Sequence, residues 1–202
     1  MQNTIVYLIR HSTTERPMQA GQPVMYGPDA PLTRAGKQKA QKLRAVILAR
    51  EGKSFDVVYS SPLRRAFETA RILAGETAMK SVITHDGLRD TGSNWAGTPL
   101  DEFRQVFLAG QVFADPRTRE TLAEIAERMT GVFDQVTSTH AGGLIGMVSH
   151  GDPLSILVDR IRHPDQEIPA YSQLVRELSL EPAQGLRLEI FPGGGIETEI
   201  VS

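Results

Sequence analysis

A chain of 202 residues is long enough to bury one α/β core and short for two independent domains. Its 40% hydrophobic and 23% charged content is ordinary for a water-soluble fold, and a formal net charge of −2 argues against nonspecific nucleic-acid binding. The lack of cysteine excludes disulfides and thiolate metal sites, and neither a secretory leader nor a bilayer-length apolar run is visible, so one cytoplasmic domain is expected.

Thr4 to Ile9 is a short β-branched and aromatic run, the pattern of a strand buried on both faces, and it ends in Arg10-His11-Ser12-Thr13-Thr14. Arg16 to Pro31, rich in Pro, Gly and Gln, reads as a loop. Thr33 caps a helix to about Arg50, with Ala35, Ala40, Leu43, Val46 and Ile47 on its apolar side and Gly52 as its stop. Phe55 to Tyr59 is a second buried strand ending in Ser60-Ser61, and Pro62 opens a helix to about Ala74. Val82 to Thr84 is a third, weaker strand, and Asp86 to Gly97 is irregular. Leu100 to Leu108 is a short helix. Thr118 to Thr139 is a long one, with Leu122, Ile125, Ala126, Met129, Val132, Phe133 and Val136 at helical spacing. Leu144 to Ser149 is an apolar strand ending in His150-Gly151-Asp152, followed by a helix from Pro153 to about Ile161. Leu174 to Leu180 and Leu186 to Phe191 alternate apolar with polar residues and read as strands of an edge hairpin.

Alternating strands and helices predict a three-layer α/β/α fold around a mostly parallel sheet, with no internal repeat or linker. Right-handed crossovers then bring Arg10-His11, Ser60-Ser61 and His150 to one rim, where open α/β sheets place their ligands. Two imidazoles there can divide their work, one neutral and nucleophilic, the other donating a hydrogen bond. Arg10 offers a rigid fork for a phosphate or carboxylate. Of the consecutive pair Arg64-Arg65, at most one aims at the rim, since neighbours on a helix point in different directions. The start of that helix also favours an anion. The set suits a phosphoryl group accepted by histidine.

In these residues the chain resembles the histidine phosphatase superfamily, which includes the cofactor-dependent phosphoglycerate mutases. The opening Arg-His-Gly-x-Thr motif stands as Arg10-His11-Ser12-Thr13-Thr14. Ser-x-Leu-x-Arg-Ala-x-x-Thr-Ala is matched by Ser61 to Ala70, and Ser/Gly-His-Gly by Ser149-His150-Gly151. Pro31 to Gly36 matches the Pro-Leu-Thr-x-x-Gly segment, and Leu88 to Gly97 resembles the region that supplies the family's acid. The resemblance, from about Ile5 to about Leu157, implies a phosphoglycerate mutase-like fold. It implies His11 as nucleophile and Arg10, Arg65 and His150 as the phosphoryl clamp. Asp90 takes the place of the Glu that protonates the leaving oxygen, and Asp86 and Asp152 are fallback acids, Asp152 preferred for its closeness to His150. No cofactor or metal is called for.

Departures from that pattern bear on function. Ser12 replaces Gly, Pro17 replaces a phosphate-contacting Asn, and Asp90 is shorter than Glu. The chain also lacks the mutases' longer, arginine-bearing middle insertion, which favours a phosphatase with water as acceptor. A mutase, or a catalytically weak module that binds phosphate or a phosphoprotein, is the alternative. The expected partner is a phosphorylated small molecule or phosphoprotein, not nucleic acid or membrane, bound by a monomer or homodimer. Ser12, Thr14, Arg16, Met25 and Tyr26 are the candidates for the substrate pocket. Arg89, Trp95 and Phe107 are candidates for the opposite wall, with core packing the preferred reading of the two aromatics. A dinucleotide site is disfavoured because Gly142 to Gly146 precedes and enters a strand. A serine-hydrolase site is disfavoured because no Gly-x-Ser-x-Gly elbow is present.

Overall fold

The computed structural model describes residues 2–27, 29–75 and 82–202. Its centre is β1 (Thr4–Arg10), whose alternating side chains feed two cores: Val6 and Leu8 enter one, Tyr7 and Ile9 the other. On the Tyr7 face lie α1 (Arg34–Glu51) and α2 (Arg64–Ala74), contributing Leu43, Ile47, Ala66, Ala70 and Leu73. On the Val6 face lie α4 (Leu122–Thr139), α5 (Gly151–Arg162) and α6 (Tyr171–Leu178), which supply Ile125, Met129, Ile156, Leu157 and Leu174. The result is the expected α/β/α layering.

The sheet also contains β4 (Val57–Ser60), β5 (Val82–Thr84), β6 (Leu144–Ser149), β7 (Gly185–Ile190) and β8 (Ile196–Val201). Its order is β5-β4-β6-β1-β7-β8, with the first four parallel and β7 and β8 an antiparallel hairpin on one side. Register sets the rim. Arg10 lies beside Ser149, and Ser60 beside Val148. The ladder continues one step, as the His11 N–H donates to Ser149 O and the Ser61 N–H to Val148 O, both at 2.9 Å. His11, Ser61 and His150 therefore end three adjacent strands.

Several expectations need correction. Leu174 to Leu180 is not a strand: its core is α6, because Tyr171 and Leu174 are also one helical turn apart and both are buried against α5 and its neighbours. The hairpin partner of β7 is instead β8, following the Gly193-Gly194-Gly195 turn. The long helix starts at Leu122, because Thr121 and Glu124 form a reciprocal capping box. On α1, Ala35 and Val46 face solvent while Gly36 is buried. Within the Arg16–Pro31 loop, where position 28 lies outside the described residues, a small hairpin forms from β2 (Met18–Gln19) and β3 (Gln22–Pro23). Its turn residues Ala20 and Gly21 both have positive φ, the requirement of a two-residue type I′ connection. The remaining element, α3 (Leu100–Leu108), matches the sequence and buries none of its residues fully. Among the described residues, no helix is long and apolar enough to cross a membrane.

Gly36 fixes the path of the chain just after the rim. A Cβ there would lie 2.2 Å from Thr13 O, so α1 can approach the strand end only without a side chain. Gly36→Ala is expected to destabilise the protein by about 1–3 kcal/mol through overpacking. A shift of the urea unfolding midpoint with unchanged slope measures it.

Candidate active site

His11 is 4% exposed at the end of β1, and its Nδ1 lies 2.8 Å from Ser12 O. A carbonyl can only accept, so Nδ1 carries the proton and Nε2 keeps its lone pair. Burial, the adjacent Arg65 guanidinium and, more weakly, Arg10 push its pKa down to about 4, against partial compensation from the Ser12 carbonyl and Asp90. His11 is thus neutral at physiological pH. The His150 ring stands 5.1 Å from it, centroid to centroid. His150 Nε2 is 2.9 Å from Ser61 Oγ, which accepts from the Leu63 N–H and so has its own hydrogen free for that nitrogen. This leaves the proton of a neutral His150 on Nδ1, 3.4 Å from Asp90. Burial holds the His150 pKa well below the ordinary value, although Asp90 pulls it upward.

The two arginines are held differently. Arg10 Nη1 donates to Leu180 O at 2.6 Å, and its guanidinium packs on Gly151, where a Cβ would lie 3.3 Å from the guanidinium carbon. The Gly of Ser149-His150-Gly151 thereby makes room for the Arg of the first motif. Arg65, 3% exposed, points inward and donates to Asp90 at 2.6 Å, with Tyr26 under its guanidinium at 4.9 Å. Arg64 faces solvent and pairs with Glu68. Arg10 Nε, Arg65 Nε and His150 Nδ1 are all buried without a hydrogen-bond partner among the described residues. Buried donors are rarely left so, and these belong to the three groups expected to grip a phosphoryl group.

Two carboxyls share this space but not their protonation. Burial alone would raise the Asp90 pKa; His150, Arg65 and His11 together with the Arg65 hydrogen bond outweigh it and hold it at about 2. Asp152, at the start of α5, is raised to about 6 by burial and by the charge of Asp90, against the Tyr171 hydrogen bond and Arg10. The loop carrying Asp90 is tied down by groups with no motif signal. Arg128 donates to the carbonyls of Gly87, Arg89 and Asp90, Glu120 accepts from the Gly92 N–H, and Ser149 Oγ donates to Leu88 O. Sequence reading overlooked Arg128, Glu120 and Tyr171; a buried-face Arg on α4 was the available hint.

His11, Arg10, Arg65, His150, Asp90 and Asp152 border one cavity of about 560 Å³. Arg16, Met25, Tyr26, Arg89, Trp95 and Phe107 line it. Ser12 and Thr14 do not. The Ser12 hydroxyl is buried and donates to Gly36 O, and Thr14 pairs with Leu32. Asp86 is also remote, paired at the surface with Arg89. Among the described residues, no group of three His, Asp or Glu is arranged to hold a metal ion.

Residues 6–181 match the histidine phosphatase superfamily (branch 1). The chain is 30% identical over 166 residues to phosphoglycerate mutase-like protein 4 of Arabidopsis thaliana, covering 78% of this chain and 70% of that one. It is 30% identical over 156 residues to phosphoserine phosphatase 1 of Hydrogenobacter thermophilus, covering 73% and 71%. Among solved structures, a mycobacterial glucosyl-3-phosphoglycerate phosphatase superposes with a TM-score of 0.76 at 19% identity over 99% of both chains. A phosphoserine phosphatase mutant of Entamoeba histolytica in complex with phosphoserine superposes with 0.71 at 21% identity, over 98% of this chain and 95% of that one.

The buried neutral His11 links the site to stability. Its folded pKa of about 4 lies below the ordinary 6.5, so between these values the unfolded chain binds the proton first. The His11 contribution to stability is full above pH 6.5 and is lost toward pH 4, on the order of 3 kcal/mol. Urea unfolding across this range should show a shallower fall in His11→Asn; an unchanged slope would mean that folded His11 is already charged.

Proposed function

The chain belongs to branch 1 of the histidine phosphatase superfamily, and within it we propose that this protein is a phosphomonoester hydrolase working through a phosphohistidine. The observation that carries the reading is the lone pair on His11 Nε2 beside three buried, unpartnered donors on Arg10, Arg65 and His150. His11 Nε2 attacks phosphorus; the P–N bond forms as the P–O bond to the leaving group breaks. Arg10, Arg65 and His150 take the charge of the transferring oxygens. Water then attacks the phosphohistidine, the P–N bond breaks, and phosphate leaves.

The departing oxygen needs a proton. Asp90, where the family resemblance places the acid, is held as a carboxylate by Arg65 and His150. We assign the proton to Asp152, whose hydrogen-bond partner is the neutral Tyr171 and whose pKa of about 6 keeps it partly protonated near neutrality. In the second step the Asp152 carboxylate takes a proton from the attacking water. Asp90 keeps Arg65 and His150 aligned.

His11→Ala should abolish hydrolysis of a phosphomonoester panel and the ³²P label that rapid quench traps on the wild-type protein; equal turnover in both proteins overturns the reading. Arg10→Ala should lower kcat about 10²–10³-fold, the usual cost of one charge-stabilising donor. Asp152→Asn should lose far more activity on an alkyl phosphate than on p-nitrophenyl phosphate, whose leaving group needs no proton. If Asp90→Asn shows that pattern instead, Asp90 is the acid. Because matched relatives include phosphoglycerate mutases, bisphosphate-primed conversion of 3-phosphoglycerate to 2-phosphoglycerate is the competing outcome; its detection would replace water by a second hydroxyl as acceptor.

A further inference from the structure

The walls of the cavity beyond the catalytic groups say what kind of alcohol leaves. The helix α3 is amphipathic but buries nothing in either core. Leu100, Phe103 and Phe107, at positions i, i+3 and i+7, turn toward the cavity instead. Their rings continue an aromatic ladder: Trp95 to Phe103 at 5.1 Å, Phe103 to Phe107 at 6.2 Å, and Phe107 to Tyr171 at 5.8 Å. Trp95 is fixed from behind, with Arg117 stacked at 3.8 Å and its Nε1 donating to Thr118 Oγ1. The opposite loop is latched to the same wall, as the Met25 N–H donates to Thr98 O and the Gly97 N–H to Met25 O.

Two arginines on this side of the cavity already have carboxylate partners. Arg89 pairs with Asp86 and Arg104 with Asp101, while Arg16 lies over the Tyr26 ring. The carboxylate of Asp90, which borders the same cavity, is taken up by Arg65 and His150. A compact leaving group bearing a carboxylate would trade water for aromatic faces. A ring-sized apolar one would cover half-exposed phenyl groups and find edge-to-face partners. A volume of about 560 Å³ accommodates it.

Resting on the phosphatase reading, we infer that the substrates are phosphate monoesters of bulky apolar alcohols or phenols, selected by the Trp95–Phe103–Phe107–Tyr171 wall. The test compares kcat/KM for 1-naphthyl and octyl phosphate with that for 3-phosphoglycerate and phosphoserine. The apolar esters should be favoured at least tenfold. The Phe103→Ala/Phe107→Ala double variant should reduce that ratio at least tenfold, mainly through KM. Phe103→Leu/Phe107→Leu, which keeps apolar bulk, should retain most of the preference and controls for folding. Calorimetric binding of the same esters to His11→Ala gives the comparison without turnover. Preference for the acidic esters in both assays, or an unchanged ratio in the alanine variant, overturns the inference while leaving the phosphatase reading intact. Absence of hydrolysis with apolar binding preserved would overturn only the phosphatase reading.

Discussion

The site depends on one ion pair. Arg65 is almost wholly buried, and a buried guanidinium is costly unless a counter-charge and hydrogen bonds accompany it. Asp90 supplies both at 2.6 Å and reaches the Nδ1 of His150 as well. Without that carboxylate, three cationic or proton-binding groups would crowd His11 with nothing to offset them. With it, positive potential remains around His11 while the imidazole itself stays neutral. The same negative charge adds to burial in pushing the Asp152 pKa upward, while at His11 it only partly offsets the burial and the Arg65 charge that keep the imidazole neutral. Like charges in one low-dielectric space are driven apart in pKa, and the group with the strong cationic partner ionises first.

Such a pair works only if Asp90 is held still, and its loop has little regular structure of its own. The restraint comes from the layer beneath. Arg128 of α4 collects three carbonyls, Glu120 takes both Arg128 and the Gly92 N–H, and Ser149 holds Leu88 from the end of β6. The serine before His150 therefore positions the loop opposite, which gives the Ser-His-Gly motif a second physical role. Arg10 is treated likewise: the Leu180 carbonyl and the bare Gly151 backbone fix a side chain whose charge lies in the cavity. Polar groups fixed before a ligand arrives need no reorganisation during the reaction.

Much of this was legible in the chain because its signals were local and redundant. The strands β1, β4 and β6 each combine an apolar run with an abrupt polar end, and parallel pairing aligns such ends automatically. Helix α1 carried both its cap, Thr33, and its stop, Gly52. The segment after Pro169 failed because Leu174, Leu178 and Leu180 fit an alternating period while Tyr171, Leu174 and Leu178 fit the helical one, and burial against α5 decides between them. Arg128 and Tyr171 were overlooked for a different reason: each acts through a partner far away in sequence. The choice between Asp90 and Asp152 was equally out of reach, since it turns on which carboxyl faces a guanidinium.

The residues that depart from the family pattern are absorbed by their neighbours in ways that tie the nucleophile to the leaving-group wall. Ser12 replaces a glycine, yet its hydroxyl turns away from the cavity to Gly36 O, and its N–H donates to Thr69. That arrangement requires α1 to come close, which Gly36 permits. The extra side chain thus ties the strand end that carries His11 to α1, beside the backbone tie to α2. Pro17 removes a side-chain hydrogen-bonding group, but its carbonyl accepts from the Val24 N–H and so closes the β2–β3 hairpin. The hairpin delivers Met25 and Tyr26, one latched to the approach to α3, the other beneath Arg65. The loop thus supplies an aromatic face to the cavity at Tyr26, as α3 does with Phe103 and Phe107.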